Sequence, residues 1–169
     1  LRYAIDKNIL LINSESESEV KKIEEIAKSK SKRVNIGIRL NPDIDAKTLK
    51  KISTGKSEDK FGLTEKNFLK TISKYKNSKY LNIKCISVHI GSQITSHIPY
   101  QKMLSVLDKI IKKSKYKFDY IDLGGGMGIK YHKRNKLLNY KKYNVLISKF
   151  IKKNKSKIIF EPGRSIIGD

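Results

Sequence analysis

The 169-residue chain carries 38 lysines and arginines against 16 acidic residues, a formal charge of +22, with 38% hydrophobic residues and a single cysteine. That length and apolar content suffice for one domain with a core, and one thiol excludes an internal disulfide or a cysteine-rich metal site. The charge would suit a nucleic acid, but only five basic residues are arginine and the lysines are spread from Lys7 to Lys157, whereas phosphate-binding faces cluster their charge and favour arginine.

Along the chain, "NILLIN" (Asn8 to Asn13) reads as a short buried strand. "SESESEV" then supplies serine caps and acidic residues that complement a helix N-terminus. Val20, Ile23, Ile26 and Ala27 follow at helical spacing to about Lys30. "RVNIGIRL" (Arg33 to Leu40) is the second strand, closed by Asn41-Pro42. A long polar loop runs to Gly62, and Thr64 to about Lys74 is helical. "LNIKCISVHI" is the third strand. Pro99 suits a first helical turn ahead of Met103, Leu104, Leu107, Ile110 and Ile111. "FDYIDL" is the fourth strand, Tyr140 to about Lys153 the next helix, and "SKIIFE" the fifth strand. No apolar run approaches a membrane span and the start shows no signal-peptide core, so the expectation is a cytoplasmic chain without a membrane or nucleic-acid partner.

Five strands alternating with four helices predict an α/β fold with a parallel sheet. Periodicity alone fits a barrel and a doubly wound sheet equally. The chemically suggestive residues favour the barrel, because Arg39, His89, the glycines after Leu123, and Glu161 with Arg164 all fall just after strands. The C-terminal ends of the strands are where a (β/α)8 TIM-type barrel builds its active site. Five strands do not close eight, so the expectation is an incomplete barrel.

Three adjacent glycines, Gly124, Gly125 and Gly126, follow the fourth strand in "YIDLGGGMGIKY". They do not make a dinucleotide fingerprint, since the sixth position counted from Gly124 is Ile129. Backbone N–H groups exposed after a strand can instead cradle a phosphate, while a tight strand–helix turn is the plainer alternative. In "FEPGRS", Glu161 and Arg164 could present opposite charges to one ligand or pair locally. His89 in "SVHIGSQ" ends an apolar run and becomes a site candidate because Gly91-Ser92 follows, with a hydroxyl able to donate to an anion. Cys85 lies in a strand-like run and reads as a buried structural thiol.

Together these segments carry a resemblance. "INSESESEV", "RLNPDIDAKTLKKISTGKSEDKFGL" (Arg39 to Leu63), "HIGSQIT", "LGGGMGI" and "EPGRSIIG", in that order, resemble the diaminopimelate decarboxylases of the fold-type III pyridoxal-phosphate enzymes. The resemblance implies pyridoxal 5'-phosphate as cofactor, decarboxylation of meso-2,6-diaminopimelate to L-lysine, and a homodimer with a shared active site. It implies that Gly124, Gly125, Gly126 and Arg164 hold the phosphate, with Ser92 beside it, that Gly163 is among the cofactor-binding residues, and that Arg164 also reaches the substrate carboxylate. Glu161 would pair with the pyridine nitrogen, His89 would stack on the ring, and Arg39 would lie near the cofactor. The loop from Asn41 to Gly62 would border the substrate entrance. The family's cofactor-linking lysine sits several β/α units farther upstream than Lys7, and its catalytic cysteine belongs to a C-terminal β domain, so Cys85 does not match it. Residues 1–169 are therefore expected to be the central and C-terminal part of the barrel domain, inactive alone. A decarboxylase of another basic amino acid or carboxylated polyamine, or a non-catalytic cofactor-binding remnant, are the alternatives.

Overall fold

The computed structural model describes residues 1–46, 61–131 and 137–168. A short helix α1 (Arg2–Asp6) leads into β1 (Ile12–Ser14), α2 (Glu17–Ser29) and β2 (Val34–Arg39). Then come α3 (Glu65–Tyr75), β3 (Leu81–Ser87), α4 (Ile98–Ser114) and β4 (Tyr120–Asp122). The chain ends with α5 (Tyr140–Asn154), β5 (Lys157–Ile159) and the one-turn α6 (Arg164–Ile167). All five strands are parallel and lie in the order β1-β2-β3-β4-β5. A doubly wound sheet reverses its strand order at a switch point. An unbroken sequential order is the progression of a barrel wall, as the distribution of site residues predicted.

Helices α2, α3 and α5 start where their caps dictate. Ser16 accepts from the Glu19 N–H at 3.2 Å, Thr64 from Asn67 at 3.4 Å and Asn139 from Lys142 at 3.0 Å, each satisfying a donor that the first turn leaves orphaned. The apolar stripe Val20, Ile23, Ile26 and Ala27 of α2 is buried, as are Phe68 and Ile72 of α3 and Met103, Leu107 and Ile110 of α4. These side chains pack on the outward-facing strand residues Ile36, Ile38, Ile83, Ile86 and Ile121 in one continuous cluster. Each fully buried aliphatic side chain contributes about 1.5–3 kcal/mol, so the helical layer holds the sheet in place.

The first apolar run differs from expectation. Only Ile12 onward pairs with β2; Ile9 and Leu10 are exposed, and Asn8 takes φ 50 as the chain leaves α1. Helix α6, which has no apolar periodicity, was not foreseen from sequence. Between β2 and β3 the register shifts by one. Ile36 pairs with Ile83, but Gly37 pairs with Cys85, leaving Lys84 as an extra residue. Such a bulge bends the strand and resets which side chains face inward.

Candidate functional site

The inward face of the sheet is polar, unlike the outer one. Asn13, Gly37, Cys85 and Tyr120 occupy one row across neighbouring strands, and Arg39, Ser87 and Asp122 the row beyond it. A Cβ at Gly37 would lie 1.8 Å from the Asn13 Oδ1 atom. Having none, β2 lets the Asn13 amide pass across it, and its Nδ2 donates to Asp122 Oδ2 on β4 at 2.9 Å. Ser87 donates to the same oxygen at 3.4 Å, and Asp122 Oδ1 accepts the Gly124 N–H at 2.9 Å. Buried Asp122 thus ties three strands to the first glycine of the loop.

That loop is packed chiefly by its own protein. A Cβ at Gly124, which takes φ +62, would meet His89 Nδ1 at 2.6 Å, and one at Gly126, at φ +89, would meet the Gly91 carbonyl oxygen at 2.1 Å. A Cβ at Gly125 would fall 2.1 Å from the Glu161 carbonyl oxygen. The Gly125 N–H donates to His89 Nδ1 at 3.2 Å, and its carbonyl accepts from the buried Tyr100 hydroxyl at 3.1 Å. The strand ladder continues past β5 as Glu161 N–H donates to the Gly124 carbonyl at 2.8 Å. The plainer alternative for these glycines, tight backbone packing, is therefore present in full. Gly163 differs: at φ −82, a Cβ there would meet no atom of the described residues within 4 Å.

The ionisable groups meet at this same end. Burial pushes the His89 imidazole below its ordinary value, the Arg39 charge adds to this, and Asp122 and Glu15 oppose it. An Nδ1 that accepts from Gly125 N–H requires the neutral ring with its proton on Nε2. The Glu161 carboxyl stands above the usual carboxylate range, first because the strand ends withhold water from one side of it and next because Asp122 lies beside it; Arg39 opposes the shift. Glu161 keeps its other side open to solvent, ready for a donor. Arg39 itself pairs with Glu15 and lies 5.3 Å from the Phe61 ring centre. Among the described residues Arg164 forms no ion pair with Glu161. Its Nη1 donates instead to Gln93 Oε1 at 3.4 Å, and its guanidinium lies 5.8 Å from the Tyr131 ring centre.

His89, Ser92, the glycine loop, Glu161, Gly163 and Arg164 thus all follow the C-terminal ends of β3, β4 and β5, with Arg39 ending β2. Most of the loop proposed to border a substrate entrance, residues 47–60, lies outside the described residues. Cys85 is buried and its thiol is pushed up to about 12, chiefly by burial, consistent with a structural thiol. Among the described residues no group of three His, Cys, Asp or Glu could hold a metal ion, and no helix is long and apolar enough to cross a membrane. Asp122, Asn13, Tyr100 and Gln93 were missed from sequence. Their partners across the fold lie 25 to 109 residues away, and only the inward polar residue of "YIDL" was a signal.

Comparison with known proteins adds an independent line. The family model described as "Pyridoxal-dependent decarboxylase, pyridoxal binding domain" matches residues 1–168. The diaminopimelate decarboxylase of Zymomonas mobilis is 35% identical over all of this chain and 41% of its own length. That of Aquifex aeolicus is 38% identical over 98% of this chain and 40% of its own. The crystal structure of Helicobacter pylori diaminopimelate decarboxylase complexed with L-lysine superposes with a TM-score of 0.87 at 36% identity, covering 98% of this chain and 42% of that one. The chain spans about two fifths of the length of these relatives.

Proposed function

Because the chain belongs to the pyridoxal-dependent decarboxylases, through their pyridoxal-binding domain, we propose that residues 1–169 are the central and C-terminal part of the cofactor-holding barrel of a diaminopimelate decarboxylase. The reaction is the conversion of meso-2,6-diaminopimelate to L-lysine and CO2 in the cytoplasm.

The observation that carries this reading is Gly163. Every glycine of the 124–126 loop is required by a neighbouring protein atom, whereas among the described residues nothing requires a glycine beside Arg164. A bare backbone next to a guanidinium is what close approach of a phosphate needs. The other residues fit the same group. Glu161, raised by burial and by Asp122, would hold a proton at the pyridine nitrogen. Neutral His89, fixed by the Gly125 N–H, would lie against the ring without repelling that proton. When bound, pyridoxal phosphate supplies the electron sink for the carbon that loses CO2. Gly124 and Gly125, whose N–H groups are held by Asp122 and His89, would shape the loop, Gly126 would offer its backbone and Ser92 its hydroxyl to the phosphate, and Arg39 would lie near the cofactor. Arg164 would hold phosphate and also reach a substrate carboxylate.

The likeness to the named relatives supports diaminopimelate as substrate, and the reading extends to a homodimer with a shared site. The protein at its natural length should release CO2 from meso-diaminopimelate, form lysine, and depend on added pyridoxal phosphate. Faster turnover of lysine, ornithine, arginine or a carboxylated polyamine would replace this substrate with another. Tight cofactor binding without turnover of any of these would make the chain a binding remnant.

A further inference from the structure

We propose that Gln93 is a positioning residue that aims the Arg164 guanidinium while leaving its charge unneutralised; this rests on the reading of the site as a pyridoxal-phosphate site. Gln93 takes φ +60, a left-handed conformation that a side-chain-bearing residue adopts only under constraint. The constraint is visible. Its Nε2 donates to the Ile129 carbonyl at 2.6 Å, and its Oε1 accepts the Ile129 N–H at 3.2 Å. The neighbouring backbone repeats this pairing, with Ile94 N–H donating to Gly126 O at 2.8 Å and Gly128 N–H to Ile94 O at 3.0 Å. The amide of Gln93 therefore extends a two-residue ladder between the loop after β3 and the exit of the glycine loop.

With both amide atoms held, Oε1 has one remaining lone pair in a fixed place, and Arg164 Nη1 donates there at 3.4 Å. The side chain must be an amide for this. A glutamate would lose the donor to Ile129 and form an ion pair that cancels the charge Arg164 needs for an anion. An alanine would remove the hydrogen bond and leave the guanidinium only its approach to the Tyr131 ring among the described residues. The partner that orients Arg164 is thus neutral, and the full positive charge stays available to a phosphate or carboxylate.

The test uses the protein at its natural length, stripped of cofactor, with equilibrium affinities measured for pyridoxal phosphate and for pyridoxal, which lacks the phosphate. Gln93→Ala should weaken pyridoxal phosphate about tenfold, the scale of one lost hydrogen bond to a charged group, and leave pyridoxal unchanged. Gln93→Glu, nearly the same shape, should weaken it more. In an Arg164→Ala background neither change should have further effect. Equal losses for both ligands, or losses that persist without Arg164, would overturn the proposal and reduce Gln93 to a loop support. Unchanged affinity in Gln93→Glu would overturn it too. If the parent protein fails to bind pyridoxal phosphate, the functional reading itself is what fails.

Discussion

Alanine at Gly125 and at Gly163 should have opposite consequences. At Gly125 the added carbon would sit 2.1 Å from the Glu161 carbonyl oxygen and 3.1 Å from its carbon, more than an ångström inside the usual C···O approach of about 3.3–3.6 Å. Backbone cannot rotate away as a side chain can, so β5 must separate from the end of β4. That forfeits the 2.8 Å bond from Glu161 N–H to Gly124 O. Overpacking costs about 1–3 kcal/mol and the lost hydrogen bond about 0.5–1.5 kcal/mol, so the cofactor-free protein should lose about 2–4 kcal/mol. At Gly163, among the described residues no atom lies within 4 Å of where the added carbon would sit and φ is −82, so stability should match the parent or rise by up to about 1 kcal/mol while pyridoxal-phosphate affinity falls. Denaturant unfolding of both cofactor-free variants, followed by cofactor titration, separates the two glycines. A Gly125→Ala protein as stable as the parent would falsify the packing account, and a Gly163→Ala protein with parental affinity would remove the main support for phosphate there.

Three further predictions follow from other contacts. The unfolded chain protonates His89 at its ordinary value, 6.5, while the folded one resists, so the unfolded state binds more protons in that window. Stability should then fall as pH drops from about 6.5 through the lowered folded value, and this slope should vanish from pH-dependent melting of His89→Gln. Tyr100→Phe removes the buried hydroxyl bonded to the Gly125 carbonyl and should cost about 1–3 kcal/mol; calorimetry that finds less than a few tenths would mean the carbonyl finds another partner. Lys115 and Lys155 end α4 and α5 in the left-handed region, at φ 50 and 56. Replacing either by glycine should stabilise by up to about 1 kcal/mol in thermal unfolding, since only the side-chain-bearing residue is strained there.

The strands after the first were legible because each concentrates apolar residues over a short stretch, and the helices because their stripes, and several of their caps, are local. Ile9 and Leu10 misled because an apolar run does not record whether a partner strand lies beside it. The placement of His89, Ser92, Glu161 and Arg164 after strand ends was legible because their chemistry clusters along the chain. The site was illegible where contacts cross the sheet: nothing near Asp122 in sequence announces Asn13, and nothing near Gln93 announces Arg164. The glycines show the limit most clearly. All four were cofactor candidates in sequence, yet Gly124, Gly125 and Gly126 answer to protein atoms, while among the described residues no atom comes within 4 Å of a Cβ at Gly163.

The extra residue on β3 has a consequence for phase. Counting by twos from Leu81 and Ile83 would send Cys85, Ser87 and His89 into the helical layer with them. They point the other way because Lys84 is skipped by the ladder, and its ammonium is anchored to Asp119, next to β4. Removing Lys84 would preserve every pairing beyond it. Letting Lys84 slide into register opposite Gly37 would instead invert the whole remainder of the strand. His89 would keep its place in the motif and lose its place in the site, so the bulge acts as a parity bit for everything that follows.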